Sequence, residues 1–282
     1  MLQNYLRLIR FDKPIGTLLL LWPTLCGLWL AYRGIPPLKI LLTFSLGVFL
    51  TRSAGCAIND YADAEFDGLV ARTAQRPLAT GAITRHNALL VTFGLSLLAF
   101  ILAWLNLQPV TLVWSIPALI LFISYPFFKR FFAIPQLYLG IAFSFGILMA
   151  FIEQSNHLPL IAIILFGANL SWVIAYDTIY ALVDLDDDLK IGIKTSAITF
   201  GNKVIQIIMC CYALFLGLLI LIGYLAQLKF SYYLGVVIIL ALIIYVYQQI
   251  KLRQRTKCFN AFLFNNYIGL ILFIAIVTNF SF

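Results

Sequence analysis

Charged side chains are scarce in this sequence. They make up 11% of its 282 residues, against about 25% in an average globular chain, and the mean hydropathy is +0.99. An ordinary soluble domain is excluded, and there is no linker or low-complexity tract to set one apart. Histidine is nearly missing: His86 and His157 are isolated from each other and from any partner residue. The five cysteines, Cys26, Cys56, Cys210, Cys211 and Cys258, show no CxxC and no Cys/His spacing. Neither a disulfide framework nor a zinc site is supported, and the thiols read as buried and inert. No set of soft ligands points to a transition metal.

Apolar runs fill the place of charge. A transmembrane helix needs about 20 residues, and nine runs qualify: 15–32, 38–58, 88–106, 109–128, 134–152, 158–182, 204–226, 231–249 and 262–280. Only Leu107-Gln108 separates the third from the fourth, with Pro109 opening the next helix, so a very tight turn is expected there. Arg7, Arg10 and Lys13 precede the first run, but no small-x-small cleavage site follows it, and it reads as a retained helix. The basic residues test the count. With the N-terminus cytoplasmic, Arg33, Lys39 and Lys229 fall outside and the other sixteen of the nineteen fall inside. The net charge of +8 is thus a topology signal and implies no nucleic-acid partner. The expectation is an all-α, multi-pass membrane protein with residues 1–282 forming one membrane-embedded domain.

Nine of the eleven acidic residues collect in two patches. The first is Asn59-Asp60-Tyr61-Ala62-Asp63-Ala64-Glu65-Phe66-Asp67. On a helix, Asp60, Asp63 and Asp67 at i, i+3 and i+7 share one face, and Glu65 lies off it. In the second patch, Asp177, Tyr180, Asp184 and Asp188 fall at i, i+3, i+7 and i+11, while Asp186 and Asp187 point elsewhere and read as solvated. Four spans separate the patches, so both face the same side. A weak echo links them: each ends a span and runs into a loop with glycine, threonine and basic residues (Gly68, Arg72-Thr73; Gly192, Lys194-Thr195), which suggests two related halves.

Like charges on one stripe repel, and folding does not reward them. Two facing stripes stay ionised only with cations between them. Mg²⁺ suits the site, because it takes oxygen ligands, keeps waters, and is held by one or two carboxylates plus substrate phosphates. The implied ligand is a diphosphate. Arg72 and Arg76 follow the first patch, Lys190 and Lys194 follow the second, and Lys129 and Arg130 lie in a loop between them. Asp177 sits deepest in its apolar run, where an ionisable residue is functional by default.

These segments carry a resemblance. NDYADAEFD followed by GLVARTAQRPL resembles the first aspartate-rich motif of the membrane-embedded aromatic prenyltransferases, the UbiA superfamily. DTIYALVDLDDDLKIGIKTSAITFG resembles the second, and Tyr125-x-x-x-Lys129 a third loop element. The resemblance covers nearly the whole chain and implies nine helices around a lateral cavity open to lipid. It also implies Mg²⁺ and a long all-trans polyprenyl diphosphate donor. Matched residue by residue, it implies Asn59, Asp60, Asp63, Asp67, Asp184 and Asp188 as metal ligands, with Asp63, Asp67, Asp184 and Asp188 at the centre of catalysis. Arg72, Lys129 and Lys194 then hold the diphosphate, and Arg10, Arg130 and Asp177 are candidates for contacting the acceptor. RLIRFDKPIGTLLLLWPTLCGLW and CFNAFLFNNYIGL are similar to the bacterial branch that prenylates 4-hydroxybenzoate, ortho to its hydroxyl, in ubiquinone synthesis.

Haem, naphthoate and homogentisate are alternative acceptors. A rival class is suggested by Asp67-Gly-Leu-Val-Ala-Arg72 with Gly81 after eight more residues, which opens like the CDP-alcohol phosphotransferase signature. Arg85 and Leu89 stand where that signature continues with aspartate. A cation-coupled transporter would keep its acids near the membrane midplane, whereas these lie at helix ends.

Overall fold

A computed structural model describes residues 1–128 and 130–281 of the chain. They form eleven α-helices and, among the described residues, no strand. The first six are α1 (Leu2–Leu8), α2 (Ile15–Tyr32), α3 (Leu38–Asp63), α4 (Arg85–Asn106), α5 (Pro109–Phe128) and α6 (Pro135–Ser155). Then follow α7 (Leu160–Ile191), α8 (Ser196–Phe200), α9 (Val204–Leu225), α10 (Phe230–Ile250) and α11 (Arg255–Ser281). Among the described residues, nine helical segments are long and apolar enough to cross a membrane, with α8 and α9 counted together.

The apolar runs locate these segments, yet three helices outrun them. α3 continues to Asp63, α7 to Ile191, and α11 begins at Arg255, two turns ahead of its apolar stretch. The hydrocarbon core limits the apolar stretch to about 30 Å, but backbone hydrogen bonding carries a helix on into water. At 1.5 Å per residue, the 32 residues of α7 span about 48 Å. The second acidic patch therefore lies on the C-terminal end of α7, and the first begins on the C-terminal end of α3.

α7 is the central helix. Trp172, Val173, Ala175, Tyr176 and Ile179 on it are all buried, and it packs against α6, α9 and α11. In lipid, helices associate by close packing and interhelical hydrogen bonds, which favours small residues at the crossings. Gly235 on α10 shows this, because a Cβ there would collide with that of Ala275 on α11. α4 and α5 are the most lipid-exposed helices, and their turn is as tight as the sequence requires. It is clamped by Glu153, whose carboxylate accepts from the Gln108 backbone N–H at 3.0 Å and whose carbonyl accepts from Gln108 Nε2 at 2.7 Å.

One buried polar residue ties α7, α9 and α11 together. Asn265 Oδ1 accepts from Trp172 Nε1 at 2.9 Å and from the Tyr212 hydroxyl at 2.8 Å, with all three side chains buried. Asn265→Leu keeps the volume but strands both donors, at a cost of about 2–4 kcal/mol. The expected result is a clear drop in melting temperature in detergent; an unchanged value would mean that the donors find other acceptors.

Candidate active site

The first patch does not form the continuous stripe its spacing predicts. α3 stops at Asp63, and Asp67 opens a separate 3₁₀ turn, Asp67–Leu69. The turn aims Asp67 at Arg76, whose Nη1 lies 2.8 Å from both carboxylate oxygens. Arg76 also reaches Asp60 at 3.2 Å, and Arg10 donates to the same Asp60 oxygen at 2.6 Å. Asp60 is 0% exposed, so both arginines serve as its counter-ions. Asp63 accepts from Asn59 Nδ2 at 3.1 Å. Burial pushes the Asp67 carboxyl above its ordinary value; Arg76 draws it back, and Asp60 and Asp63 push it up again. Burial works against the charge on Arg76, but Asp60 and Asp67 outweigh it and hold the guanidinium protonated. Glu65 is exposed and pairs with Arg85 at 3.0 Å, off the site as its register predicts.

The second patch is helical throughout, on the last turns of α7, and it meets the first. Arg72, from the loop after the first patch, donates from Nε to both Asp184 oxygens at 3.0 Å and also from Nη2. Its guanidinium stacks 4.7 Å over the Tyr180 ring, a favourable cation–π position. Arg255, the first residue of α11, lies 3.5 Å from Asp184 and 3.2 Å from Asp187. Asp187 is therefore an arginine partner rather than a merely solvated acid; Asp186 is exposed as expected. Asp184 and Asp188 are both buried.

The remaining basic candidates are spread around this centre. Lys194 donates to the Phe131 carbonyl at 3.1 Å and thereby joins the α5–α6 loop to the α7–α8 loop. Arg130 donates to the Ala62 carbonyl at 2.9 Å. Both are turned to backbone partners, and Arg10 is committed to Asp60. Lys129 lies outside the described residues.

Arg52 is the residue that sequence reasoning passed over. It counts there only as an inner-side charge, yet it sits within α3 and lines a narrow pocket with Gly55, Asn59, Phe122 and Tyr125. Its Nε is buried without a hydrogen-bond partner among the described residues. A Cβ on Gly16 would come within 2.6 Å of its guanidinium, so glycine at the start of α2 is what admits it. Arg52 and Asp177 both lie within electrostatic reach of the Tyr125 and Tyr176 hydroxyls. A lone cation inside an apolar run was the available signal.

The donor set tests the fit to a metal. Asn59, Asp63, Asp67, Asp184 and Asp188 offer hard oxygen atoms, the kind Mg²⁺ prefers. Among the described residues, no three acidic, histidine or cysteine side chains converge tightly enough to hold an ion by themselves. The carboxylates stand on two walls with arginines drawn in between. That fits an ion whose remaining ligands come from phosphate and water.

The UbiA prenyltransferase family matches residues 20–273. The 4-hydroxybenzoate octaprenyltransferase of Nitrosospira multiformis is 56% identical over 99% of this chain and 96% of that protein. Its namesake from Nitrosomonas eutropha is 57% identical over 97% and 95%. Among solved structures, a UbiA homologue from Aeropyrum pernix K1 superposes with a TM-score of 0.82 at 25% identity, covering 93% of this chain and 97% of that one. A homologue from Archaeoglobus fulgidus, bound to GPP and Mg²⁺, gives 0.75 at 18% identity over 98% and 99%, a likeness of fold.

Proposed function

The chain belongs to the UbiA prenyltransferase family, and from that premise we propose the reaction it performs. It moves a polyprenyl group from an all-trans polyprenyl diphosphate to the ring carbon ortho to the hydroxyl of 4-hydroxybenzoate, releasing diphosphate, in ubiquinone synthesis. The observation that carries this reading is the meeting of the two aspartate-rich segments through Arg72 and Asp184, in a chain more than half identical to proteins named for that acceptor.

Each group has a task. Asn59, Asp63, Asp67, Asp184 and Asp188 would hold Mg²⁺, with Asp60 kept as the anchor of Arg10 and Arg76. Bound there, the metal supplies the Lewis acidity that neutralises a departing diphosphate. Arg72 and Lys194 would add positive charge where negative charge develops, and Lys129, outside the described residues, is assigned the same role by its place in the sequence. The pocket beneath places the acceptor: Arg52 takes its carboxylate and Asp177 accepts from its hydroxyl, which raises electron density at the ortho carbon. Apolar walls of aromatic and aliphatic residues keep water from an allylic cation until the ring attacks it. The prenyl tail runs out among lipid.

The sixteen-to-three distribution of basic residues supports a cytoplasmic N-terminus and a site on the cytoplasmic face of a bacterial inner membrane. The test is direct. Membranes carrying the chain, given a polyprenyl diphosphate and labelled 4-hydroxybenzoate, are expected to yield a lipid-soluble labelled product. EDTA should stop its formation, and added Mg²⁺ should restore it. No product from 4-hydroxybenzoate, with product from naphthoate or homogentisate, would move the assignment to another acceptor.

A further inference from the structure

We propose that Arg255 is a diphosphate-binding residue, parked on Asp184 and Asp187 until the donor arrives. The proposal rests on the functional reading above, because it takes Asp184 as a metal ligand.

α11 opens on a cation that its own dipole does not favour. The N-terminus of a helix carries partial positive charge, which disfavours a cation in the first turn. Yet α11 opens on Arg255, with Lys257 beside it and no acid in that turn. The start of the helix is nonetheless held firmly. Cys258 N–H bonds the Gln254 carbonyl at 2.8 Å, and Arg253 donates to the Asn202 carbonyl at 2.7 Å, tying this corner to the start of α9. Asp187 is also misplaced for its own helix, since an acid near the C-terminus of α7 faces partial negative charge. The two residues compensate each other across the mouth of the site.

Asp184 does not need Arg255. Arg72 already meets both its oxygens, and Arg255 stands 3.5 Å off, beyond hydrogen-bond length. Its side chain is 45% exposed, against 27% for Arg72 and 16% for Arg76. Arg255 is therefore the loosest cation of the three and the cheapest to move. Once an ion occupies Asp184, the added positive charge repels both arginines. Arg255 can let go without losing its counter-ion, because Asp187 remains 3.2 Å away. Its freed N–H groups then stand beside Asp184, available to a diphosphate held by that residue's ion. Guanidinium matches phosphate oxygens in a bidentate way that an ammonium does not. The pair Asp187–Arg255 thus gives the second aspartate-rich segment a phosphate contact of its own, from a helix outside both motifs.

The experiment uses the purified full chain in detergent, with Mn²⁺ as the spin-visible substitute for Mg²⁺ and inorganic pyrophosphate as probe. Arg255→Gln is expected to bind Mn²⁺ alone as tightly as the wild type or severalfold tighter, since a competing cation is gone. In the presence of Mn²⁺, its pyrophosphate affinity should fall about tenfold or more, the usual weight of a charged hydrogen bond. Arg255→Lys should fall between the two. Pyrophosphate affinity within about twofold of wild type would overturn the proposal, as would parallel weakening of Mn²⁺ and pyrophosphate, the mark of a structural role. A wild-type chain that binds neither probe would instead overturn the functional reading, and this proposal with it.

Discussion

Asp63→Ala and Asp184→Ala are each expected to lower Mg²⁺-dependent prenyl transfer by at least about a thousandfold, the upper range for losing one group that stabilises developing charge. The two substitutions act on opposite walls. Asp63 closes α3 and is braced by Asn59 at 3.1 Å, so its loss would remove a proposed ligand from the first wall and leave the Asn59 amide without that acceptor. Asp184, beyond its proposed role as a ligand, holds Arg72. In its absence Arg72 loses the carboxylate it holds and Arg255 keeps only Asp187, and the bridge joining the two aspartate-rich segments is gone. Asp184→Asn keeps the shape but not the charge and should fail nearly as completely. Neither residue supports the apolar packing of the bundle, so the amount in the membrane should stay close to wild type, whereas Asp184→Ala, which leaves Arg72 without its carboxylate, should lower the melting temperature. Activity within tenfold of wild type, at matched protein and saturating Mg²⁺, would sink the assignment of either residue.

The loss should also not be additive. With Asp63 gone, removing Asp184 as well has little left to destroy, because the two walls act as a unit on one diphosphate. Independent, multiplying losses would mean that each wall works alone.

Much of this architecture is legible in the sequence, for a physical reason. A bilayer forces every span to be apolar and helical, so the runs, the tight turn before Pro109 and the common side of both acidic patches follow from counting. The second stripe survives intact because α7 stays helical through Asp188. The first does not, since α3 ends at Asp63 and Asp67 belongs to a turn. Spacing arguments presume that the helix continues. Long-range pairs such as Arg72–Asp184 and Arg76–Asp60 are beyond them altogether: which arginine meets which carboxylate depends on how a loop folds back. Arg52 was within reach. Arg52, Gly55, Asn59 and Asp63 repeat on α3 the i, i+3, i+7, i+11 spacing of Asp177, Tyr180, Asp184 and Asp188 on α7. The matching spacing puts a cation at the first position of one series and an anion at the first position of the other.

Arg52→Gln is accordingly expected to raise the KM for 4-hydroxybenzoate about a hundredfold, the loss that follows when a buried charge pair is broken. The KM for the polyprenyl diphosphate should stay within about threefold, since at 1.5 Å per residue Arg52 lies about 16 Å along α3 from Asp63. Among the described residues the buried Nε of Arg52 has no hydrogen-bond partner, its ring neighbour Phe143 lies 5.7 Å away, and the pocket around it is lined mainly by apolar and aromatic groups. A benzoate carboxylate would answer that unmet donor. Phenol offered in place of 4-hydroxybenzoate separates this role from a structural one. The wild type should strongly prefer the carboxylated acceptor, whereas Arg52→Gln should treat the two nearly alike, because the preference resides in one guanidinium–carboxylate contact. An Arg52→Gln variant that loses equally on both acceptors would show that the residue shapes the pocket without reading the carboxylate.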